Sequence, residues 1–387
     1  MAHAGRPRVL VAMSGGVDSS VCAYLLKSQG YDCIGVTMRL YDNGTICRTN
    51  GRTCCSLEDI EDAKSVAHAL GIPYHVLDFR REFARDVIEH FCATYEAGRT
   101  PNPCIDCNRF LKFGALLDRA RELGCNYVAT GHYARIVQVS NSADAKTTQP
   151  SRWELRRGAD PAKDQSYVLY SLTQERLAHV LLPLGGLNKE RDVRRIAEEQ
   201  GLINARKRDS QGICFVPDDD YAAFLERHRG RALSDGDIVD AQGQVLGRHH
   251  GAIRYTVGQR KGLGVACAHP VYVTGIDAQA NTVTLGENDA LMAGELVADD
   301  WIWSAPADPM AAELDRAAAA GGSIPVTAKI RYHQPDQAAH MSWGGPAEHP
   351  RAAVRIAFDA PQRAIAPGQA VVVYRGDTVL GGGTVRS

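Results

Sequence analysis

The stretch Ala12–Ser20 reads "AMSGGVDSS". It follows a short apolar run, "RVLVAM", and opens "DSSVCAYLLKSQG", where apolar residues recur at helical spacing as far as Gly30. A strand, a Ser/Gly turn and a helix, in that order, make a cradle for phosphate. Ser14, Gly15 and Gly16 permit a tight turn whose backbone N–H groups point into one concavity. Ser14 and Ser19 add hydroxyls, and the helix N-terminus adds partial positive charge. Asp18 begins the helix, where it can cap it or hold a metal ion bridging phosphates. The lysine of G-x-x-x-x-G-K-[ST] is absent, and so is G-x-G-x-x-G.

The same alternation runs outward from this loop. "CIGVTM" reads as a strand, and "SLEDIEDAKSVAHALG" as a helix with Ser56 and Asp59 in a capping-box arrangement. "YHVLDF" is a strand, "REFARDVIEHFCATYEAG" and "RFLKFGALLDRARELG" are helices, and "YVATG" is a strand. Buried strands alternating with helices predict an α/β fold with a doubly wound parallel sheet. Ligands of such sheets sit beyond the carboxyl ends of the strands, where "AMSGG", "TMRLYD" and "ATGHY" fall. Residues 139–151, "VSNSADAKTTQPS", read as a solvated loop. After about residue 218 the texture becomes short alternating strands with Gly, Asp and Asn turns. A catalytic domain over 1–217 is therefore expected, then a central β domain over 218–290 and a C-terminal β-barrel over 295–387.

The length of 387 residues allows two or three domains. A net charge of -1 excludes a chain built as a whole to hold a polyanion, though not local clusters. "RHHGAIRYTVGQRKG" (Arg248–Gly262) is one such basic and aromatic run. No apolar run approaches the roughly 20 residues of a membrane span, and the N-terminus reads as a strand rather than a signal peptide. No membrane association and a cytoplasmic location are the expectation. In a reducing compartment, eleven cysteines argue for thiol or metal chemistry at a few positions, with Cys22 and Cys125 as packing residues.

Two cysteine segments stand out. "TPNPCIDCN" (Thr100–Asn108) holds Cys104 and Cys107 in a Pro-rich loop, and by itself it fits a metal pair, a redox pair or one reactive thiol. "RDSQGICFV" (Arg208–Val216) holds Cys214 after the basic run "ARKR" (Ala205–Arg208), whose positive charge would raise its thiolate fraction. A core cysteine ahead of Phe-Val fits that segment equally well.

Taken together, "AMSGGVDSSV", "CCSLEDIEDA", "GIPYHVLDF", "GRTPNPCIDCNRFLKF", "YVATGHYAR", "KDQSYVLYSL", "SQGICFV" and "GQRKGLG" resemble the tRNA-specific 2-thiouridylases of the PP-loop ATP pyrophosphatase superfamily. "KIRYHQ" and "APGQAVVVY" extend the match almost to the end. The resemblance implies a tRNA-uridine sulfurtransferase that cleaves ATP, with Mg2+, between the α and β phosphates. It would adenylate O2 of the wobble uridine at position 34, release pyrophosphate and AMP, and replace the oxygen with sulfur. A urea-like carbonyl oxygen leaves poorly, whereas AMP leaves readily, and a cysteine persulfide can supply the sulfur.

By position, the resemblance makes Cys214 the persulfide carrier, loaded by an upstream sulfur-relay protein, and Cys107 the catalytic cysteine. Turnover ends in a Cys107–Cys214 disulfide that a reductant must open. ATP falls to Ala12, Met13, Ser14, Gly15, Gly16, Val17, Asp18 and Ser19, with Met38 and Gly131. The tRNA falls to Asn102, Pro103 and Cys104 around a flipped base, to His132, to Lys163, Asp164 and Gln165, and to Arg331, Tyr332 and Gln369. Many family members carry Asp at the position of Cys104. The expectation here is that Cys104 only shapes the pocket, while a water or Asp106 handles the proton. A rival within the same reaction has Cys104, Cys107 and Cys214 holding a [4Fe–4S] cluster, with "CRTNGRTCC" (Cys47–Cys55) as a further group of thiols. Other PP-loop synthetases and a non-catalytic RNA-binding protein are the competing classes.

Overall fold

The computed structural model describes residues 5–41, 57–139, 152–207, 212–216 and 220–386. The Cys47–Cys55 group, Ser56, Arg208 and most of the polar excursion near residue 145 lie outside these.

The first part of the chain contributes β1 (Arg8–Ala12), β2 (Asp32–Arg39), β3 (Tyr74–Asp78), β4 (Tyr127–Ala129), β5 (Ala134–Val139), β6 (Arg152–Arg157) and β7 (Val180–Leu181). Five of them form a parallel sheet in the order β3-β2-β1-β4-β7. Val9, Leu10 and Val11 of β1 are each fully buried, and they split between two cores. Leu10 faces a layer with Phe83, Phe91 and Leu111, while Val9 and Val11 face one with Val21, Ala63 and Val66. Helices thus cover both faces, as continuous apolar strands require.

Those helices include α1 (Val17–Ser28), α2 (Leu57–Leu70), α3 over 80–96, α4 over 103–122 and α5 over 189–199. The last three carry π-helical turns at Ala84–Ile88, Cys107–Ala115 and Lys189–Val193. The Pro-rich stretch differs from its expectation as a loop. Pro103 is the first residue of α4, so Cys104 and Cys107 stand on a helix. Proline is favoured at that position because its missing N–H would have no helical partner there.

Next come α6 (Tyr221–Arg229) and β8 (Asp235–Val239), β9 (Val245–His250), β10 (Tyr272–Asp277) and β11 (Thr282–Gly286), in the order β10-β11-β8-β9. They enclose a small core of Ile238, Tyr255, Leu263, Val273, Val283 and Leu285. The last part holds β12 (Met292–Trp303), β13 (Ile324–Lys329), β14 (Gln337–Trp343), β15 (Val354–Arg363), β16 (Ala370–Arg375) and β17 (Thr378–Val385). Their order is β12-β15-β14-β13-β16-β17, and a β12–β17 pairing closes the barrel. Closure removes the exposed edges of an open sheet. A helix, α7 (Ala307–Ala319), packs on this barrel where only strands were expected.

The barrel is joined to the α/β domain. The hairpin β5–β6 pairs with β17 through Arg156 and Thr378. Ile105 and Phe113 of α4 share a core with Tyr167, Val372 and Tyr374, and the Tyr167 hydroxyl donates to the Ala370 carbonyl at 2.8 Å.

Candidate active site

The phosphate loop is built as its sequence requires. Gly15 has φ +72°, a conformation that favours glycine, and a Cβ there would stand 2.3 Å from the Asp59 carbonyl oxygen. Gly16 caps α1 with extended backbone and no side-chain hydrogen bond. The first N–H groups of the helix therefore lack the side-chain acceptor that Ser, Thr or Asp would supply, as suits an anion site. The Ser14 N–H donates to Ser19 Oγ at 3.2 Å, and the Ser19 and Ser20 hydroxyls both donate to the Gly16 carbonyl at 3.0 Å. Gly131, beyond β4, comes so close that a Cβ would lie 2.9 Å from the Ser19 nitrogen. The Met13 N–H donates to the Val36 carbonyl, which brings the carboxyl ends of β1 and β2 together. Met38, on β2, is buried in the aromatic core.

Asp18 is held from two sides. Tyr133 donates its hydroxyl to one carboxylate oxygen at 2.6 Å, and Lys189 donates to the other at 2.8 Å. Lys189 is 1% exposed, and this carboxylate is a partner to its buried ammonium. Each of these oxygens keeps further acceptor capacity and the side chain is 30% exposed, so Asp18 stays compatible with a Mg2+ ion brought in with ATP. No group of three or more His, Cys, Asp or Glu gathers into a metal-binding arrangement among the described residues. Cys104, Cys107 and Cys214 are among the residues that do not gather in this way.

The two working cysteines of the sequence reading rest on one core. Cys107, on α4, and Cys214 both pack against the cluster containing Phe83, Phe91, Leu111 and Phe215. Ala12, the residue leading into the phosphate loop, packs against it too. Phe215 anchors its neighbour Cys214: its ring meets Phe83 at 5.5 Å, Phe91 at 5.2 Å and Phe224 at 5.2 Å. The Tyr41 hydroxyl donates to the Cys214 carbonyl at 3.4 Å. Both are half-buried, whereas Cys104 is exposed. Phe224 belongs to α6, which is tied to α3 by Arg229 with Glu89 and Glu96 and by His228 with Glu89.

Comparison with known proteins adds the family. Residues 7–218 match the model described as "tRNA methyl transferase HUP domain", 222–287 the PRC-barrel domain of the same series and 294–385 an "Aminomethyltransferase beta-barrel domain". A protein of Symbiobacterium thermophilum named tRNA-specific 2-thiouridylase MnmA is 49% identical over 98% of this chain and 93% of its own length. Proteins of the same name from Geotalea uraniireducens and Geobacter metallireducens are 48% and 47% identical, over 98% and 100% of this chain and 95% and 98% of their own. The chain belongs to the tRNA-specific 2-thiouridylase family.

The residues that thiouridylase membership directs toward tRNA fall into distinct structural settings. Gln369 donates its side-chain amide to the Thr100 and Pro101 carbonyls, both at 3.1 Å, and Thr100 N–H donates to the Pro367 carbonyl at 2.8 Å. The barrel thus grips the segment leading into Asn102, Pro103 and Cys104. Tyr332 stands near Cys104 and Asp164; burial foremost, then these two groups, push its phenol up to about 12. Asp164 accepts from the Gly158 and Ser166 N–H groups at 2.9 and 3.0 Å, and Gln165 accepts from the Tyr133 N–H at 3.0 Å. These two, next to the half-buried Lys163, shape the turn that presents Tyr133 to Asp18. Arg331 donates to the Ala364 carbonyl. His132 is 8% exposed and paired with Thr130, and burial holds its imidazole well below the usual range.

Asp106 is buried and bonded to His90 at 2.8 Å, and it lines a cavity with Asn102, Arg109 and Asp300. Within the basic run before Cys214, Lys207 is paired with Asp59 at 2.7 Å and Asp62 at 2.6 Å, while Arg206 is exposed. Lys189, Tyr133, Asn204, Tyr41 and Phe215 escaped the sequence reading. Each is ordinary in its local sequence, and only its distant partner reveals it.

Proposed function

We propose that this chain replaces O2 of the wobble uridine, position 34 of tRNA, with sulfur at the expense of ATP. The uridine oxygen attacks the α-phosphate, an O–P bond forms, and the α–β bridge breaks to release pyrophosphate. The outer sulfur of a Cys214 persulfide then reaches C2, either directly or as sulfide freed by Cys107, and AMP departs with the original oxygen. Cys107 thiolate bonding to Cys214 sulfur leaves a disulfide, which a dithiol reductant opens with two electrons. Sulfur would arrive from an upstream relay protein, in the cytoplasm. No helix among the described residues is long and apolar enough to cross a membrane.

The observation that carries this reading is the shared core under Ala12, Cys107 and Cys214. Packing against one core supports bringing nucleotide and sulfur to one place, as adenylation followed by sulfur transfer demands. ATP fits the loop through its backbone N–H groups, with Met38 and Gly131 at neighbouring strand ends. Incubation of unmodified tRNA with ATP and a persulfide donor is expected to yield 2-thiouridine at position 34. Cys107→Ser and Cys214→Ser are each expected to abolish it with ATP binding retained. Full activity in either variant overturns the role given to that residue.

A further inference from the structure

Both oxygens of Asp18 are held by groups that one turn of the chain, residues 158–165, keeps in place. One arm runs through Tyr133. The Gln165 side chain accepts from the Tyr133 N–H at 3.0 Å, and the Gln165 N–H donates to the Tyr133 carbonyl at 2.8 Å. Gly158 closes on the same carbonyl, where a Cβ would stand 2.7 Å from the oxygen. Tyr133, itself buried, then gives its hydroxyl to one Asp18 oxygen. The other arm runs through Lys189. Buried Asp160 accepts from the Asn188 side-chain amide and from the Lys189 N–H, both at 3.0 Å. Those bonds fix the start of α5, from which the Lys189 ammonium reaches the second Asp18 oxygen. The ammonium also lies 5.9 Å from the centre of the Tyr133 ring, so the two arms meet. Gly131 closes on Asp18 as well: a Cβ there would stand 3.0 Å from the Asp18 Cβ.

We infer that Tyr133 and Asp160 are positioning residues that hold the Asp18 carboxylate in the orientation that receives a divalent cation carried in with ATP. A carboxylate beside a phosphate site repels a triphosphate unless a cation stands between them. Mg2+ demands near-ideal octahedral geometry and takes most of its ligands from water and phosphate, so a single carboxylate must be well aimed to serve it. Each carboxylate oxygen can accept more than one bond, so one donor on each fixes the group and leaves acceptor capacity over. Fixing the side chain in the fold also removes an ordering cost from nucleotide binding. Asp160 acts through the seating of Lys189, and Tyr133 through its hydroxyl. This inference rests on the reading of the loop as the ATP site.

The test is binding of a non-hydrolysable ATP analogue to the full-length protein, by calorimetry, in Mg2+ and in excess EDTA. Mn2+ replaces Mg2+ in a second titration, in which electron paramagnetic resonance counts the free ion. In the native chain Mg2+ is expected to strengthen binding of the analogue by about tenfold or more. In Tyr133→Phe and in Asp160→Ala that gain is expected to shrink to about threefold or less, with Mn2+ held correspondingly more weakly in the analogue complex. Affinity in EDTA should stay within about twofold of native. Tyr133→Phe removes one oxygen and keeps both backbone bonds to Gln165, so it decides the matter if Asp160→Ala fails to fold. An undiminished Mg2+ gain in Tyr133→Phe overturns the inference. So does an equal loss with and without Mg2+, which is what general loosening of the loop would give. A native chain that binds the analogue but gains nothing from Mg2+ overturns it with the ATP reading intact. A native chain that does not bind the analogue overturns the ATP reading and the inference with it.

Discussion

At the scale of single residues, a buried cation and its carboxylate partner stand beside the phosphate loop. Lys189 is buried against Asp18, and Tyr133 completes the arrangement. Removing one partner of such a pair leaves an uncompensated charge beside the phosphate loop. Lys189→Met should lower stability by about 3 kcal/mol, less in so far as Asp18 keeps partial contact with water, and denaturant unfolding reads this. ATP affinity should fall with it. His132 gives a pH signature. Burial foremost, and Lys112 secondarily, keep it neutral in the fold, whereas the unfolded chain takes up a proton near the ordinary value of 6.5. The unfolded state thus binds more protons at low pH, and stability falls as pH drops below about 6.5. His132→Gln should flatten that part of the stability–pH curve. His90 acts in the opposite sense: Asp106 raises its pKa, so its contribution is present below 6.5 and is lost as pH rises through the raised value.

At the scale of elements, the loop between β1 and α1 tolerates no side chain at its tightest point. Gly15→Ala combines an unfavourable φ with a backbone oxygen where the methyl would go. ATP affinity should drop at least about tenfold by calorimetry, while the far-ultraviolet circular dichroism stays native. Near-native affinity would show that the loop relaxes freely. α4 makes a different point. Its first turn places Cys104 and Cys107 three residues apart on a helix, while Ile105 and Phe113 face the core shared with the barrel. The spacing looked like a symmetrical pair, and the helix makes the two thiols unequal: Cys104 is exposed and Cys107 rests on the core.

At the scale of the whole molecule, the C-terminal barrel grips the segment that leads into α4. Gln369 and the Pro367 carbonyl hold Thr100 and Pro101, and at Gly368 a Cβ would stand 2.9 Å from Thr100 backbone atoms. Gln369→Ala removes both amide bonds and should raise the KM for tRNA several-fold with little change in ATP affinity. Steady-state thiolation at varied tRNA separates the two, and an unchanged KM would make the clamp incidental.

The sequence by itself determined the order of strands and helices, the phosphate loop and the change to β structure, because these are written in local periodicity and turn chemistry. Gly15 and Gly16 announce their loop wherever they stand after a buried strand. It also marked Cys107 and Cys214 as candidates. Tertiary structure alone decided which groups meet. Lys189 reaches Asp18, Asn204 reaches Gly15 and Gln369 reaches Thr100 across long stretches of chain. Hydrogen bonds and ion pairs of this kind leave no periodic trace. A lysine on a helix looks solvent-facing until the fold buries it, and Lys207 looks like one more charge in a basic run until Asp59 and Asp62 pair with it.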